Sequence, residues 1–311
     1  MGPHVKPFGS HDCAIGGCSR EIAALGAIVR AALQALELSG EVYKVRVSDA
    51  VELAKLVRSL RRGKLGMVSL SGAVCGEAPR LVDELGPSAR HSGYADMLMG
   101  TPSGVFGHDT TYEAFVELLD TVPAPRSTAV VVGAGAPAFA AVAACRQLGF
   151  QFIGITSRSW LSTEVLHDSP AAAKLRTLGA LPTLWPGPTG ASPTTRFSQE
   201  MRLQFLEIAA SAQVIIQTVP VAPSSKDARL LSRVVSWSQT RGDATVCDLV
   251  YGGPPSPFLV EAHRHGLTGI GGVEMLTTRG LKMLETWTGM RPPREPIHAA
   301  ALRACARSRD E

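Results

Sequence analysis

Residues 128–145, TAVVVGAGAPAFAAVAAC, run eighteen residues without a charge, and hydropathy alone would nominate them as a membrane span. Their punctuation argues otherwise. A β-branched run, Val130 to Val132, meets Gly133-Ala134-Gly135 and then Pro137, after which small residues continue at helical spacing. Membrane spans rarely carry such a break, so the stretch reads as strand, tight turn and helix. A turn of this kind leaves the first backbone N–H groups of the helix, and its positive dipole end, facing outward as a seat for a pyrophosphate. Gly133 lets the chain turn, Gly135 lets a phosphate approach the backbone, Pro137 suits the first helical turn and Ala140 lets the helix lie close to the strand. Glycine turns also occur in α/β proteins that bind nothing, so the motif is weak by itself. Its context adds weight. Residues 151–156, QFIGIT, read as a second strand ending on Ser157-Arg158-Ser159. The acidic residue that would hold a bare ribose 2′-hydroxyl is absent, and an arginine between two hydroxyls suits a 2′-phosphate, hence NADP over NAD. A solvated loop cation is the plain alternative for Arg158.

A chain of 311 residues has the length for about two domains and a sizeable core. Its 45% hydrophobic and 5% aromatic content fits an Ala/Val/Leu-built α/β protein. The net charge of +4 is spread among interspersed acids and bases, which is no nucleic-acid footprint. Cys13, Cys18, Cys75, Cys145, Cys247 and Cys305 lack zinc spacing and read as buried thiols of a reducing compartment. Cys13 and Cys18 with His4 and His11 can be drawn as a metal site, but no metal is expected. Residues 1–12 read as an unstructured leader without a signal peptide, so the expected location is cytosolic, with no membrane partner.

Helical spacing of Ile22, Leu25, Val29, Leu33 and Leu36 follows a short strand at Ala14-Ile15 and ends near Gly40. Tyr43, Val45 and Val47 alternate as a strand, Asp49 caps a helix running to Arg61, and residues 66–70 form the next strand. This β-α-β-α-β order implies a parallel sheet. Residues 72–87 are expected as a helix with Leu81, Val82 and Leu85 inward, residues 96–99 as a strand and residues 100–107 as a hinge. Asp109 precedes a helix on which Thr110 and Glu113 have capping-box spacing. Further on, residues 170–178 read as a helix and 182–198 as a loop. Strands at 214–218 and 244–249 alternate with helices at 199–211 and 226–241, and helices close the chain at 275–288 and 296–307. The expected organisation is a leader over 1–12, a substrate-type α/β domain over 13–105, a Rossmann-like doubly wound domain over 106–288, and a tail over 289–311 whose helix packs back on the first domain.

Four ordered stretches together resemble the shikimate dehydrogenase family: VVGAGAPAFAA with SRS downstream, QTVP at 217–220, DLVYGGPPSPFL from Asp248, and GGVEML followed by TRGLKMLETWTGMRPP. Arg158, Pro220, Tyr251, Pro257, Gly272, Met275 and Leu276 fall on positions of the family's motifs. The likeness implies two α/β domains, with NADP on the second and the substrate in the cleft between them. It carries Gly133, Gly135, Ala136, Ser157, Arg158, Ser159, Thr218, Val219, Gly272 and Met275 over as cofactor-binding positions. Ala136 and Phe139 replace the family's usual glycine and arginine, so retained, weakened and lost cofactor binding all stand open.

In the first domain the resemblance breaks at the chemistry. The family's Asn-Val-Thr-x-Pro-x-Lys segment aligns with Ser69 to Cys75, which puts Cys75 at the catalytic lysine position and Ser69 and Ser71 at substrate-cleft positions. Asp96 replaces a substrate-binding asparagine and Arg279 a substrate-binding glutamine, while Tyr251 keeps its place. Asp109 retains the catalytic aspartate position, although a helix cap is its plain alternative. The Ser-x-Ser-Pro pair that grips the substrate carboxylate has no counterpart ahead of Leu25. A positioned acid/base contributes about 10²–10⁴-fold in rate, and a cysteine replaces a lysine only as a thiolate with a lowered pKa. Lys64, after a helix end, reads as solvated. Asp96 and Arg279 either pair with each other or bind a different anion.

The leading expectation is a non-catalytic, metabolite-sensing domain resembling the C-terminal part of fungal quinate-pathway repressors. It would take a shikimate- or quinate-like acid and a regulatory protein partner, without direct DNA contact, and would then be cytoplasmic or nuclear. The alternatives are an active NADP-dependent shikimate/quinate oxidoreductase with a remodelled site and a structural module that binds neither cofactor nor acid.

Overall fold

The computed structural model describes residues 11–17, 19–186 and 196–307. Most of the expected leader, with His4, and also Cys18, lie outside the described residues. The chain forms two compact units, Met1–Ala114 with Val273–Glu311, and Phe115–Gly272.

The first unit begins with β1 (Cys13–Gly16), α1 (Ser19–Ala35), β2 (Val42–Val45), α2 (Ala50–Arg61) and β3 (Met67–Ser69). Helical crossovers make β1 parallel to both β2 and β3. Helix α1 stops short of the expected Gly40. Glu37 adopts the left-handed conformation (φ +56°) and Leu38 N–H donates to the Leu33 carbonyl at 2.9 Å, so the helix stop is made without glycine. Asp49 caps α2 by accepting from the Val51 and Glu52 amides, each at 2.9 Å.

Residues 72–87 do not form the expected helix. They make two 3₁₀ turns, Gly72–Gly76 and Ala78–Arg80, then a short strand β4 (Glu84–Leu85). Gly72 sits at φ +80° and Pro79 has no amide to donate, so an α-helical ladder cannot run through. Leu81, Val82 and Leu85 end up half-buried. After α3 (Pro87–Ser92), β5 (Met97–Thr101) and β6 (Gly104–His108) form a hairpin added antiparallel to β3. The sheet is therefore mixed, in the order β2-β1-β3-β5-β6-β4. The glycine-containing stretch read as a hinge is this hairpin's turn and return strand, with the Thr101 hydroxyl donating to the Gly104 carbonyl at 2.9 Å.

Helix α4 (Thr110–Leu119) carries the chain into the second unit. There follow β7 (Thr128–Val132), α5 (Ala136–Gln147), β8 (Phe152–Thr156), α6 (Thr163–His167), α7 (Pro170–Thr177), β9 (Leu181–Thr183), α8 (Arg196–Ser211), β10 (Val214–Gln217), α9 (Lys226–Leu231), β11 (Thr245–Asp248), α10 (Pro257–Arg264) and β12 (Thr268–Ile270). All neighbouring strands pair in parallel, in the order β12-β11-β10-β7-β8-β9. The order reverses between β7 and β10, the switch point at which doubly wound sheets open a crevice beyond their strand ends. The uncharged stretch is thus divided between a buried strand and a buried helix. No helix of the described residues is long and apolar enough to cross a membrane.

Two expectations here need correction. Pro182, assigned to a loop, lies in the edge strand β9, where a missing amide costs no central ladder bond. The helix expected over 226–241 ends at Leu231, where the Ser232 hydroxyl donates to the Arg229 carbonyl and the Trp237 indole N–H donates to the Ser232 carbonyl. These bonds fold the segment back on itself.

Two helices, α11 (Gly272–Thr288) and α12 (Arg294–Arg307), close the chain, and α12 packs along α1. Gly280 on α11 meets α1 closely: a Cβ there would stand 2.5 Å from Ile28 Cγ2, and Ile28 is fully buried. Gly280→Ala should therefore lower stability by about 1–3 kcal/mol through overpacking, despite alanine's better helix propensity of about 1 kcal/mol. Urea unfolding of this variant and of Ile28→Ala/Gly280→Ala checks the cause, because the second change should recover part of any overpacking loss.

Candidate functional site

In the first unit the sequence-selected residues converge on one guanidinium. Arg279, buried on α11, donates through Nη2 to the Leu70 carbonyl at 2.9 Å, through Nη1 to Glu21 Oε1, and sets Nε 3.1 Å from Asp96 Oδ2 and 3.4 Å from Thr110 Oγ1. Arginine has five N–H donors in a rigid plane and no neutral form at ordinary pH. Burial alone would lower its pKa, but Asp96 and Glu21 outweigh that and hold it charged. Asp96 is as fully engaged. Its Oδ1 accepts from Thr110 N–H at 2.7 Å and the Thr110 hydroxyl at 2.8 Å, and its Oδ2 accepts from Thr111 N–H at 3.0 Å and the Thr111 hydroxyl at 2.6 Å. This carboxylate closes the open amide end of α4.

Asp109 joins the same helix end, its Oδ1 accepting from Tyr112 N–H at 2.9 Å, which is capping geometry. The expected Thr110–Glu113 box is not made, because the Thr110 hydroxyl goes to Asp96. Burial, then the neighbouring Asp96, push the Asp109 carboxyl well above the ordinary range, against the Ser92 and Tyr112 bonds and Arg279. Cys75 lies buried in the first 3₁₀ turn. Burial and then Asp96 raise its thiol well above the usual value, and Arg279 opposes them without prevailing. A thiolate base is the opposite of what this environment favours.

Ser69 and Ser71 stand at the end of β3 and just beyond it. The Ser69 hydroxyl is buried without a hydrogen-bond partner among the described residues, and the Ser71 hydroxyl fills the space beside Gly17 that a side chain there would need. Met275 is buried on the first turn of α11, and Lys64 is exposed after α2. Sequence reasoning missed Glu21, in the first turn of α1. An acid ahead of an apolar helical face marks a helix start, but nothing local ties it to an arginine 258 positions away.

The second unit holds the other group. Gly133 follows β7 at φ +129°, and a side chain there would collide with the Thr218 hydroxyl, which donates to the Val132 carbonyl at 2.9 Å. Gly135 is the N-cap of α5, no side chain caps that helix, and a Cβ on Gly135 would meet only Pro137. Ala136 and Pro137 open the first turn. Phe139 is buried with the Lys174 ammonium 5.2 Å from its ring centroid. At the end of β8 the Ser157 and Ser159 hydroxyls lie 3.0 Å apart, and Arg158 Nη1 donates to Asp227 Oδ2 at 2.8 Å. Val219 N–H donates to Gln217, whose amide donates to Asp248 Oδ1 at 3.0 Å. Gly272 lies against the Leu249 and Val250 carbonyls, where a Cβ would stand 2.6 and 2.5 Å away. Tyr251 is half-buried beyond β11. The glycine turn, the uncapped helix start and the Ser-Arg-Ser strand end fit a dinucleotide's pyrophosphate and phosphorylated ribose. Asp248 is buried at the end of β11 and accepts from Ser256, Val250 and Gln217. Burial nonetheless raises its carboxyl to about 6.

No protein-family model matches the chain. Among curated relatives, the NADP(+) shikimate dehydrogenase of Synechococcus sp. (strain JA-3-3Ab) is 29% identical over 238 residues, 74% of this chain and 72% of that protein. The pentafunctional AROM polypeptide of Yarrowia lipolytica is 26% identical over 276 residues, 86% of this chain but 16% of the polypeptide. Among solved structures, shikimate 5-dehydrogenase from Thermus thermophilus, in complex with NADP(H) and shikimate, superposes with a TM-score of 0.72 at 23% identity, covering 94% of this chain and 99% of that one. The α/β fold with its Rossmann-like parallel sheet is that of the shikimate dehydrogenases, and the sequence relatives support the same family.

Two outcomes follow from this electrostatic arrangement. Arg279→Met leaves the buried Asp96 and the half-buried Glu21 without their cation and should cost about 3–5 kcal/mol in urea unfolding, most of it recovered when Glu21→Gln and Asp96→Asn are added. For Asp248 the native pKa lies above the unfolded one, so the native state binds more protons between pH about 4 and 6 and stability falls as pH rises through that window. Asp248→Asn should gain on the parent chain across the same window, by up to about 3 kcal/mol, and run parallel to it at higher pH; parallel curves throughout would show no such cost.

Proposed function

With the shikimate dehydrogenase fold as premise, we propose that this chain is a non-catalytic, metabolite-sensing module of quinate and shikimate metabolism, of the transcriptional-repressor type. The observation that carries this reading is the state of the first-unit cluster. Oxidising a ring hydroxyl requires a group that takes a proton while a hydride leaves. Cys75, at the position the resemblance gives to the lysine, is a buried thiol held in its protonated form. Arg279 and Asp96, at the positions it gives to two neutral amides, are spent on each other, on Glu21 and on the start of α4. Within the first unit, the half-buried Ser71 is left as a hydroxyl donor for an acid ligand, while Ser69 is fully buried.

The second unit retains the means to hold NADP. Gly133, Gly135 and the first turn of α5 would take the pyrophosphate, Ser157, Arg158 and Ser159 the 2′-phosphate, and Thr218, Val219 and Gly272 the nicotinamide half. When bound, NADP supplies a hydride acceptor. In the sensing role the nucleotide acts as ligand, a regulatory protein as partner, and the module works in the cytoplasm or, within a repressor, in the nucleus.

One observation favours a second reading, a working NADP-dependent shikimate/quinate oxidoreductase. Asp109 is a buried carboxyl whose pKa is raised by burial and then by Asp96, the direction a general acid requires. Calorimetric titration of the chain with NADPH, shikimate and quinate, paired with a turnover assay on the same protein, separates the readings. Sensing predicts binding of at least one acid with no turnover. Turnover abolished by Asp109→Asn establishes the enzyme, and no binding of any of the three ligands leaves a structural module.

A further inference from the structure

The cation at the end of β8 is already paired. Arg158 Nη1 donates to Asp227 Oδ2 at 2.8 Å, from the strand end to the first turn of α9, and both side chains are substantially exposed, at 41% and 55%. No other ion pair of Arg158 is found among the described residues. A guanidinium awaiting a dianionic phosphate gains most when it carries an uncompensated charge. Here a carboxylate neutralises it, and a phosphate arriving at the same N–H group meets a negative charge within hydrogen-bond distance of its own site. A plain ribose, which brings no charge, meets no such barrier. The exposed pair is weakly held, so it is displaceable.

We propose that Asp227 sets the discrimination of this site between a 2′-phosphorylated and an unphosphorylated adenosine ribose, making recognition of the phosphate conditional on breaking the Arg158–Asp227 pair. The inference rests on the reading of the second unit as a dinucleotide site. Ser157 and Ser159 bond to each other at 3.0 Å and stand ready for either ribose, so the balance between the two nucleotides falls to the Arg158–Asp227 pair. Lys226 is exposed beside Asp227 on α9 and serves as the neighbouring control for a change of net charge alone.

The test is calorimetric titration of the full chain, Asp227→Asn, Lys226→Gln and Arg158→Ala with NADPH and with NADH, at low and high salt. Asp227→Asn should tighten NADPH about three- to tenfold at low salt and leave NADH within about twofold, with the gain shrinking at high salt. Lys226→Gln should not tighten NADPH, and Arg158→Ala should abolish the preference between nucleotides. An unchanged NADPH-to-NADH ratio in Asp227→Asn overturns the role of Asp227 while leaving the nucleotide site standing. Weaker NADPH binding in that variant overturns it too, by showing that the carboxylate positions the arginine. If neither nucleotide binds any of the four proteins, the dinucleotide reading fails and this inference with it. Circular dichroism of each variant verifies that the fold is intact.

Discussion

A guanidinium cannot shed its charge to enter a protein interior, and the first unit is arranged around that constraint. Arg279 is tolerated inside only because Glu21 from α1, Asp96 from the loop before β5 and the Leu70 carbonyl after β3 surround its plane. Asp96 has a second task, since its two oxygens take the first amides and both threonine hydroxyls of α4. One carboxylate therefore ties the arginine, a helix start and the end of the interior strand β5 together. The same low-dielectric surroundings keep Cys75 and Asp109 towards their protonated forms. Groups resembling a proton relay thus answer first to the electrostatics of burial, which favours one internally satisfied network over several poised acids and bases.

The second unit meets the opposite requirement. Its central parallel strands are buried, and β7 turns into α5 through backbone that no side chain caps. Gly133 and Gly135 keep side chains away from that turn, and no side chain caps the helix. The Arg158–Asp227 pair is exposed and weak where the Arg279 network is buried and strong. One unit stores its charges against each other, and the other keeps a helix start open.

Much of this was legible in the sequence wherever the signal was local. The β-branched run into Gly133-Ala134-Gly135 announced β7 and α5, Asp49 announced α2, and the alternation of strand and helix announced a doubly wound sheet. Arg158, Asp96 and Arg279 stood out through the motif resemblance. The pairing of Asp96 with Arg279 was one of two alternatives, and the structure makes it. What stayed hidden was non-local or a contest between local rules. Glu21 is a routine first-turn acid until a side chain from the other end of the chain reaches it. Residues 72–87 have helical apolar spacing, yet Gly72 and Pro79 override it. Helix α10 announced itself as Ser256-Pro257, a cap followed by a first-turn proline, but those residues were absorbed into a motif and not read as a helix start. Asp227 carries no sequence signal at all, because its meaning comes from a packing contact between two elements far apart in the chain.

The proposed replacement of proton-transfer chemistry by the charged cluster of the first unit is tested most directly by a single-turnover measurement: stoichiometric protein and NADP with excess shikimate or quinate, following reduction of the nicotinamide. No reduction above the protein-free rate is expected, with Arg279→Gln no more active than the parent chain. Reduction that is abolished by Cys75→Ala would contradict it, by showing that the buried thiol does the work this structure denies it.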